Sequence, residues 1–310
     1  MDLGRARDTS VLLAGMGRGG TTWAGNLLNY DGRRRVLFEP FHPEHVRLAR
    51  GFERPHYIHP GTIDHPLAKP ARRILSGRPR GEWVDRDNPG WAYRGRIIKE
   101  IQANLMLGWL RRIAPHIPIV LMVRHPMAVL KSWSSLGWAD PVPGQVRGFE
   151  RVAQHEELLR DYPRIAAVLE TIDPSDPLDR VIFQWAVYHY VPVRQLGGDF
   201  HTLYYERLVT EPERETRRLF AFLGWEYDTQ AVKTALGAAS STNFLKRDVS
   251  QRAVSLAAEW RQAFDKEQID RANRILEGFG LDGIYDADGL PRCDHLVGAV
   301  EDRPSQALSA

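Results

Sequence analysis

Short apolar runs recur along the chain at residues 11–14, 36–38, 97–99, 119–123 and 202–205, each strand-sized and bounded by polar or turn residues. Between them, apolar positions at spacings of three and four predict helices over 22–30, 105–113, 127–136, 146–169, 178–196, 213–223 and 266–278. Strands alternating with helices predict an α/β fold, with a central parallel sheet flanked by helices in a single domain over residues 1–286. Pro212 just inside one helix start and Gly280 just past the end of another fit the usual capping asymmetry. Residues 51–95 break the rhythm with prolines, glycines, histidines and aromatics, and predict an irregular excursion over a site. After Asp286 the chain turns polar and non-periodic, which predicts a loosely ordered tail over 287–310.

Composition changes this picture little. Hydrophobic residues make up 43% and charged residues 26% of 310, as in an ordinary globular protein, and no apolar run approaches a membrane span. The first strand begins near residue 10, so the expectation is a protein without a secretory leader, located in the cytoplasm. Cys293 is the one cysteine, which excludes an internal disulfide framework and a cysteine-rich metal site. Only six of the 42 basic residues are lysine, and ten arginines fall between Arg47 and Arg96. Guanidinium forks match the oxygens of phosphate and sulfate, although arginine excess also arises from coding bias. A net charge of +3 gives little support to a nucleic-acid or other polyanion binder.

The candidate chemistry lies first in Gly15-Met16-Gly17-Arg18-Gly19-Gly20-Thr21-Thr22-Trp23, directly after the first strand. A glycine-rich turn opening a helix presents free amides and a positive dipole end to an anion. The spacing from Gly15 to Gly20 is that of a nucleotide triphosphate P-loop, but Thr21 stands where that motif has its lysine. The missing clamp argues against a small-molecule kinase, and Arg18 is the compensating cation. A second constellation follows the strand at 119–123. Arg124 leaves its carboxyl end, Pro126 starts a helix, and Ser132 lies about two turns into it. Together Arg124 and Ser132 fit a second phosphate.

These two segments, with Tyr205-Glu206-Arg207-Leu208-Val209 and the helix ending in Gly224, resemble the signature loops of sulfotransferases that use 3′-phosphoadenosine 5′-phosphosulfate. The resemblance spans roughly residues 10–280 and implies a P-loop-like fold. It implies that Arg18, Gly19, Gly20, Thr21 and Thr22 hold the 5′-phosphosulfate and that Arg124 and Ser132 hold the 3′-phosphate. By the same likeness Trp23 stacks on the adenine, Tyr205 contacts the base, and Lys246 and Arg247 belong to a closing segment at the donor. The product is then 3′,5′-adenosine bisphosphate, and no metal is required because Arg18 and the loop amides carry the charge.

Sulfuryl transfer to a hydroxyl requires an aligned acceptor and a base for its proton. Glu39, at the end of the second strand, is the first candidate and resembles the catalytic glutamate of the tyrosylprotein branch. His42 is the rival base, and a third possibility is that Glu39 only caps a helix. Lys99 resembles a transition-state lysine of that branch, against the alternative of an ion-paired strand end, and Glu100 reads as its structural neighbour. Arg18 also looks more like the tyrosylprotein and carbohydrate branches than the cytosolic members, many of which carry lysine there. Trp83, Trp91 and Tyr93 offer flat faces for an acceptor, and residues 97–109 resemble carbohydrate sulfotransferases of bacterial type. The expected acceptor is a small molecule or glycan, a carbohydrate first, with a phenolic or secondary-metabolite hydroxyl as the alternative.

Overall fold

The computed structural model describes residues 9–90, 92–140, 148–229, 233 and 259–299. Trp91, Lys246 and Arg247 lie outside the described residues. Five parallel strands form one sheet in the order β2-β3-β1-β4-β5: β1 Ser10–Gly15, β2 Arg34–Phe38, β3 Gly95–Glu100, β4 Ile119–Val123 and β5 His201–Tyr204. Leu12 of β1 pairs with Ile98 of β3 on one side and Ile119 of β4 on the other. All residues of β1 and β4 are buried, as expected for parallel strands covered on both faces.

Alternating side chains feed two cores. Val11, Leu13, Val36, Ile97, Val120, Met122 and Leu203 pack on one face against α1 Thr21–Leu28, α10 Tyr205–Thr210 and α11 Pro212–Leu223. Leu12, Ala14, Leu37, Ile98, Leu121 and Val123 pack on the other. That larger core contains α9 Pro177–Leu196, with Phe183, Trp185 and Tyr188 fully buried. Asp176 caps α9 by accepting from the Leu178 amide at 2.8 Å, and Gly197 ends it in the left-handed conformation. Both faces are sealed, so the ligand-accessible part of the sheet is its edge. The carboxyl edge, where β1 sends its chain toward β2 while β3 crosses to β4, is the switch point at which such sheets bind ligands.

Three expectations change. The single helix predicted over 146–169 is three short ones: α6 Gly148–Ala153, α7 Glu156–Asp161 and α8 Pro163–Leu169. His155 leaves the first to cap the second, accepting from the Leu158 amide, and Pro163 has no amide to continue a helix. The excursion at 51–95 contains α2 Ala68–Leu75 and α3 Glu82–Asp85, and is fastened by Arg35. That guanidinium is buried and donates to the Asp85 carboxylate and to the Gly77 and Pro79 carbonyls.

Finally, residues 287–299, expected to be loose, are packed. Asp286 accepts from the Asp288 and Leu290 amides, Leu296 is fully buried with its amide on Thr202 Oγ1 at 3.0 Å, and Asp294 pairs with Arg207. A turn held by a carboxylate and one apolar anchor leaves no periodicity in the sequence. The remaining elements are α4 Leu107–Ile113, α5 Pro126–Ser134 and α12 Lys266–Phe279. Among the described residues no helix is long and apolar enough to cross a membrane.

Candidate active site

The loop from Met16 to Gly20 folds tightly between β1 and α1, with the Gly19 amide on the Met16 carbonyl at 2.9 Å. Gly20 precedes α1 at φ 99°, and a Cβ there would lie 2.7 Å from Met122 Cε and 2.8 Å from Tyr205 Cδ2. Only glycine fits this close approach. Arg18 takes φ 66°, left-handed for a residue with a side chain, and is exposed at the loop's tip. No side chain caps α1, so its first amides are left without a side-chain acceptor. Thr21 is buried against Gly15, while Thr22 is exposed.

The second anion segment meets this loop directly. Arg18 Nε donates to Ser132 Oγ at 2.9 Å, Arg124 Nη1 to the Arg18 carbonyl at 3.0 Å, and Trp133 Nε1 to the Gly17 carbonyl at 2.9 Å. Arg124 also lies over the Tyr205 ring at 4.3 Å, and that ring meets Trp23 edge-on at 5.6 Å. Six of the predicted donor residues, Arg18, Gly20, Trp23, Arg124, Ser132 and Tyr205, therefore form one continuous cluster. Behind it, buried Glu206 accepts from the His125 amide at 2.8 Å and from Tyr285 Oη at 3.4 Å. Burial raises its carboxyl to about 7, against the pull of the His125 amide and Arg124. His125 stacks on Trp260 at 4.1 Å and, held in that stack, has its pKa lowered by burial to about 3.

A second cluster lies on the same sheet edge at the ends of β2 and β3. Glu39 turns out of β2 at φ 40° with its amide on the Lys99 carbonyl at 2.8 Å. Its carboxylate accepts from Arg54 Nη2 at 3.0 Å and lies 3.5 Å from Lys99 Nζ. It caps no helix. Lys99 is 4% exposed, with its ammonium 4.1 Å over the Phe38 ring; burial lowers its pKa against the attraction of Glu39 and Glu100. Glu100 points to the opposite face, where it accepts from the amides of Phe41, Ile101 and Gln102, and burial raises it to about 7. Its role is to fix the chain after β3, and Ile101 in turn abuts the loop at Gly17.

His42 is buried beside Trp83 and His45, with its pKa lowered to about 4 by burial and then by Arg54 and His45. Trp83 stacks on His45 at 3.9 Å and donates to the Glu39 carbonyl at 3.3 Å. Tyr93, by contrast, is buried with its hydroxyl on Gly90, so it presents no face to an acceptor. His42, Glu44 and His45 are the one group of three metal-capable side chains among the described residues.

A model of the sulfotransferase family matches residues 10–229, which span both clusters. The chain belongs to the sulfotransferase family. Nodulation protein NoeE of Sinorhizobium fredii (strain NBRC 101917 / NGR234) is 27% identical over 235 residues, covering 71% of this chain and 52% of NoeE. The chain thus spans about half the length of that curated relative.

Similar solved structures include a sulfotransferase domain from the curacin biosynthetic pathway, 15% identical with a TM-score of 0.46, covering 89% of this chain and 99% of that one. Mouse sulfotransferase SULT7A1 complexed with PAP is 12% identical with a TM-score of 0.42, covering 88% and 84%.

Two features at this sheet edge fit an anionic ligand. Arg124 Nε and Trp23 Nε1 are buried without an acceptor, and the positions of Cβ atoms at Gly19 and Gly20 are closed by Met16, Met122 and Tyr205. Unspent donors beside a backbone cradle fit phosphate oxygens and a purine edge. Sequence reasoning missed Arg54, Glu206 as a brace, and Trp260. Arg54 lies in an irregular segment and Trp260 in a short 3-10 helix, Glu259–Ala263, neither with a motif around it, and Glu206 enters the sequence pattern only as Tyr205's neighbour.

Proposed function

We propose that the chain transfers the sulfuryl group of 3′-phosphoadenosine 5′-phosphosulfate to an acceptor hydroxyl, on a carbohydrate in the first instance. The observation that carries this is the Arg18 to Ser132 hydrogen bond, with Arg124 on the Arg18 carbonyl. It joins two anion-binding segments far apart in sequence, as a donor with phosphates at both ends of one nucleoside requires. Arg18, Gly19, Gly20, Thr21 and Thr22 would hold the 5′ group, Arg124 and Ser132 the 3′-phosphate, and Trp23 and Tyr205 the base. The bound donor would supply the sulfuryl group itself.

The chain's own part is proton and charge handling. Glu39 takes the acceptor hydroxyl proton on a carboxylate oxygen. Arg54 aims that carboxylate, and Lys99 places a buried cation beside the transfer path, where a low dielectric strengthens it. His42, its pKa lowered by burial to about 4, loses the advantage an ordinary imidazole has as a base at neutral pH. Arg18 and the loop amides serve in place of a metal. Trp83, met edge-on by His42 and with His45 stacked on it, is the aromatic retained for a sugar ring.

Incubation with labelled donor and a panel of glycans, phenols and alcohols, beside calorimetry with 3′,5′-adenosine bisphosphate, tests this directly. Labelled glycan is the expected product. Labelling of phenols alone moves the acceptor to the aromatic class, and failure to bind the bisphosphate removes the donor assignment.

A further inference from the structure

The arginine surplus between Arg47 and Arg96 is not consumed by the active site. Of the net +3 charge, the stretch 66–81 supplies five positive charges and no negative one, leaving the rest of the chain at −2. Lys69, Arg72 and Arg73 occupy one face of α2 at spacings of three and four, Ser76 follows at the helix end, and Arg78 extends the row. All five are exposed and line a shallow groove of about 420 Å³. None of these four cations makes an ion pair among the described residues. Lys69 with Arg72 and Lys69 with Arg73 are instead like-charge neighbours, an arrangement unfavourable in an isolated helix.

The groove is rigidly backed and lies away from the donor. Ala71, Ile74 and Leu75 bury the opposite face of α2 in the main core. Past its end, Arg35 of β2 holds the Gly77 and Pro79 carbonyls at 2.6 and 2.5 Å. A Cβ at Gly77 would meet Arg96, the second residue of β3. The end of α2 therefore reaches the amino edge of the sheet, whereas Glu39, Lys99 and Arg124 occupy the carboxyl edge.

We propose that this row is a docking site for an anionic polysaccharide, outside the catalytic pocket. Its lining offers charge and hydrogen-bond donors without a single aromatic or aliphatic anchor. Protein interfaces and interfacial membrane helices depend on such anchors, and single-stranded nucleic acid depends on stacking rings. A flexible chain bearing carboxylate or sulfate groups needs only guanidinium forks in a row. The site does not depend on which acceptor is sulfated, because its occupant is bound and not transformed there.

The test uses the full chain and fluorescent dextran sulfate, with neutral dextran, duplex DNA and phosphatidylserine vesicles as alternatives. Binding of dextran sulfate is expected to weaken with salt, with a logarithmic slope of roughly −3 to −4 for four contacts. Neutral dextran should not bind. Arg72→Gln with Arg73→Gln should weaken dextran sulfate binding about tenfold or more, while bisphosphate binding and turnover of a small acceptor stay at the wild-type level. Arg78→Gln, outside the helix, should weaken it in the same sense and guards against loss of α2 in the double variant. Binding unchanged in both variants, equal or tighter binding of DNA or vesicles, or no binding of dextran sulfate at physiological salt would each overturn the proposal. Loss of sulfuryl transfer with intact, arginine-dependent dextran sulfate binding would count against the catalytic assignment alone.

Discussion

Glu39→Gln separates catalysis from architecture at this site. The substitution keeps the volume and the φ 40° turn but removes the charge that Arg54 meets at 3.0 Å and Lys99 at 3.5 Å. A positioned general base contributes about 10²- to 10⁴-fold, so kcat should fall by that factor, equivalent to roughly 2.7–5.4 kcal/mol of barrier. Folding should suffer as well. Both partners of the Lys99 pair are buried, and a buried group left without its partner costs about 1–3 kcal/mol. One feature holds the loss to that range: Arg54 is 24% exposed and keeps contact with water when the carboxylate is removed. Sulfuryl transfer at saturating donor gives kcat, thermal melting gives the stability change, and bisphosphate calorimetry should report unchanged affinity because Glu39 touches none of Arg18, Arg124 or Ser132. A kcat within about threefold of wild type would refute Glu39 as the base, being far below the expected contribution. A parallel loss of bisphosphate affinity would refute the separation of the two clusters.

Arg124→Ala should lower affinity for 3′,5′-adenosine bisphosphate by about 10- to 100-fold, the worth of a charge-assisted hydrogen bond, and an unchanged calorimetric Kd would count against the 3′ assignment. Gly20→Ala places a Cβ 2.7 Å from Met122 Cε at φ 99° and should cost about 1–3 kcal/mol in a urea titration while also weakening the bisphosphate. Stability should rise from about pH 4.5 to 6.5. Burial holds His42, His56, His125, His189 and His201 neutral at pKa values of about 4, 4, 3, 4 and 3, so unfolding takes up their protons; Glu100 and Glu206, raised to about 7, oppose this by releasing theirs. The histidines outnumber the carboxyls, so unfolding takes up protons on balance and stability rises with pH, and a flat urea midpoint across that window would contradict it. Prolonged dialysis against a chelator should leave turnover unchanged, and activity restored only by added magnesium would move the chemistry toward the kinase alternative.

The sheet was legible because parallel strands buried on both faces read as short apolar runs, and all five appear within a residue or two of where the pattern puts them. Boundaries failed where local hydrogen bonding overrode periodicity. His155 and Pro163 divide what spacing alone joins into one helix, and Asp286 with Leu296 orders a segment that has no period at all. In each case one side chain decides the outcome through a cap, a missing amide or an anchor, and a window average dilutes that contribution.

The two clusters were unequally legible for a related reason. Donor-side residues sit in a contiguous loop and at a strand end with its following helix, where backbone geometry fixes both spacing and residue type, so glycine at φ 99° leaves a mark on the sequence. Acceptor-side residues are constrained by position in space alone. Arg54 reaches Glu39 from fifteen residues away across irregular chain, and its neighbours need only let it arrive. Lys99 illustrates the same limit: its identity at a strand end fits a solvated lysine equally well. Only the 4% exposure, the Phe38 ring beneath it and Glu39 beside it distinguish a buried cation that the fold must compensate. A buried charge of that kind marks a candidate for use in a reaction, and it supports the proposed chemistry between Lys99 and Glu39 better than either residue's position in the sequence does.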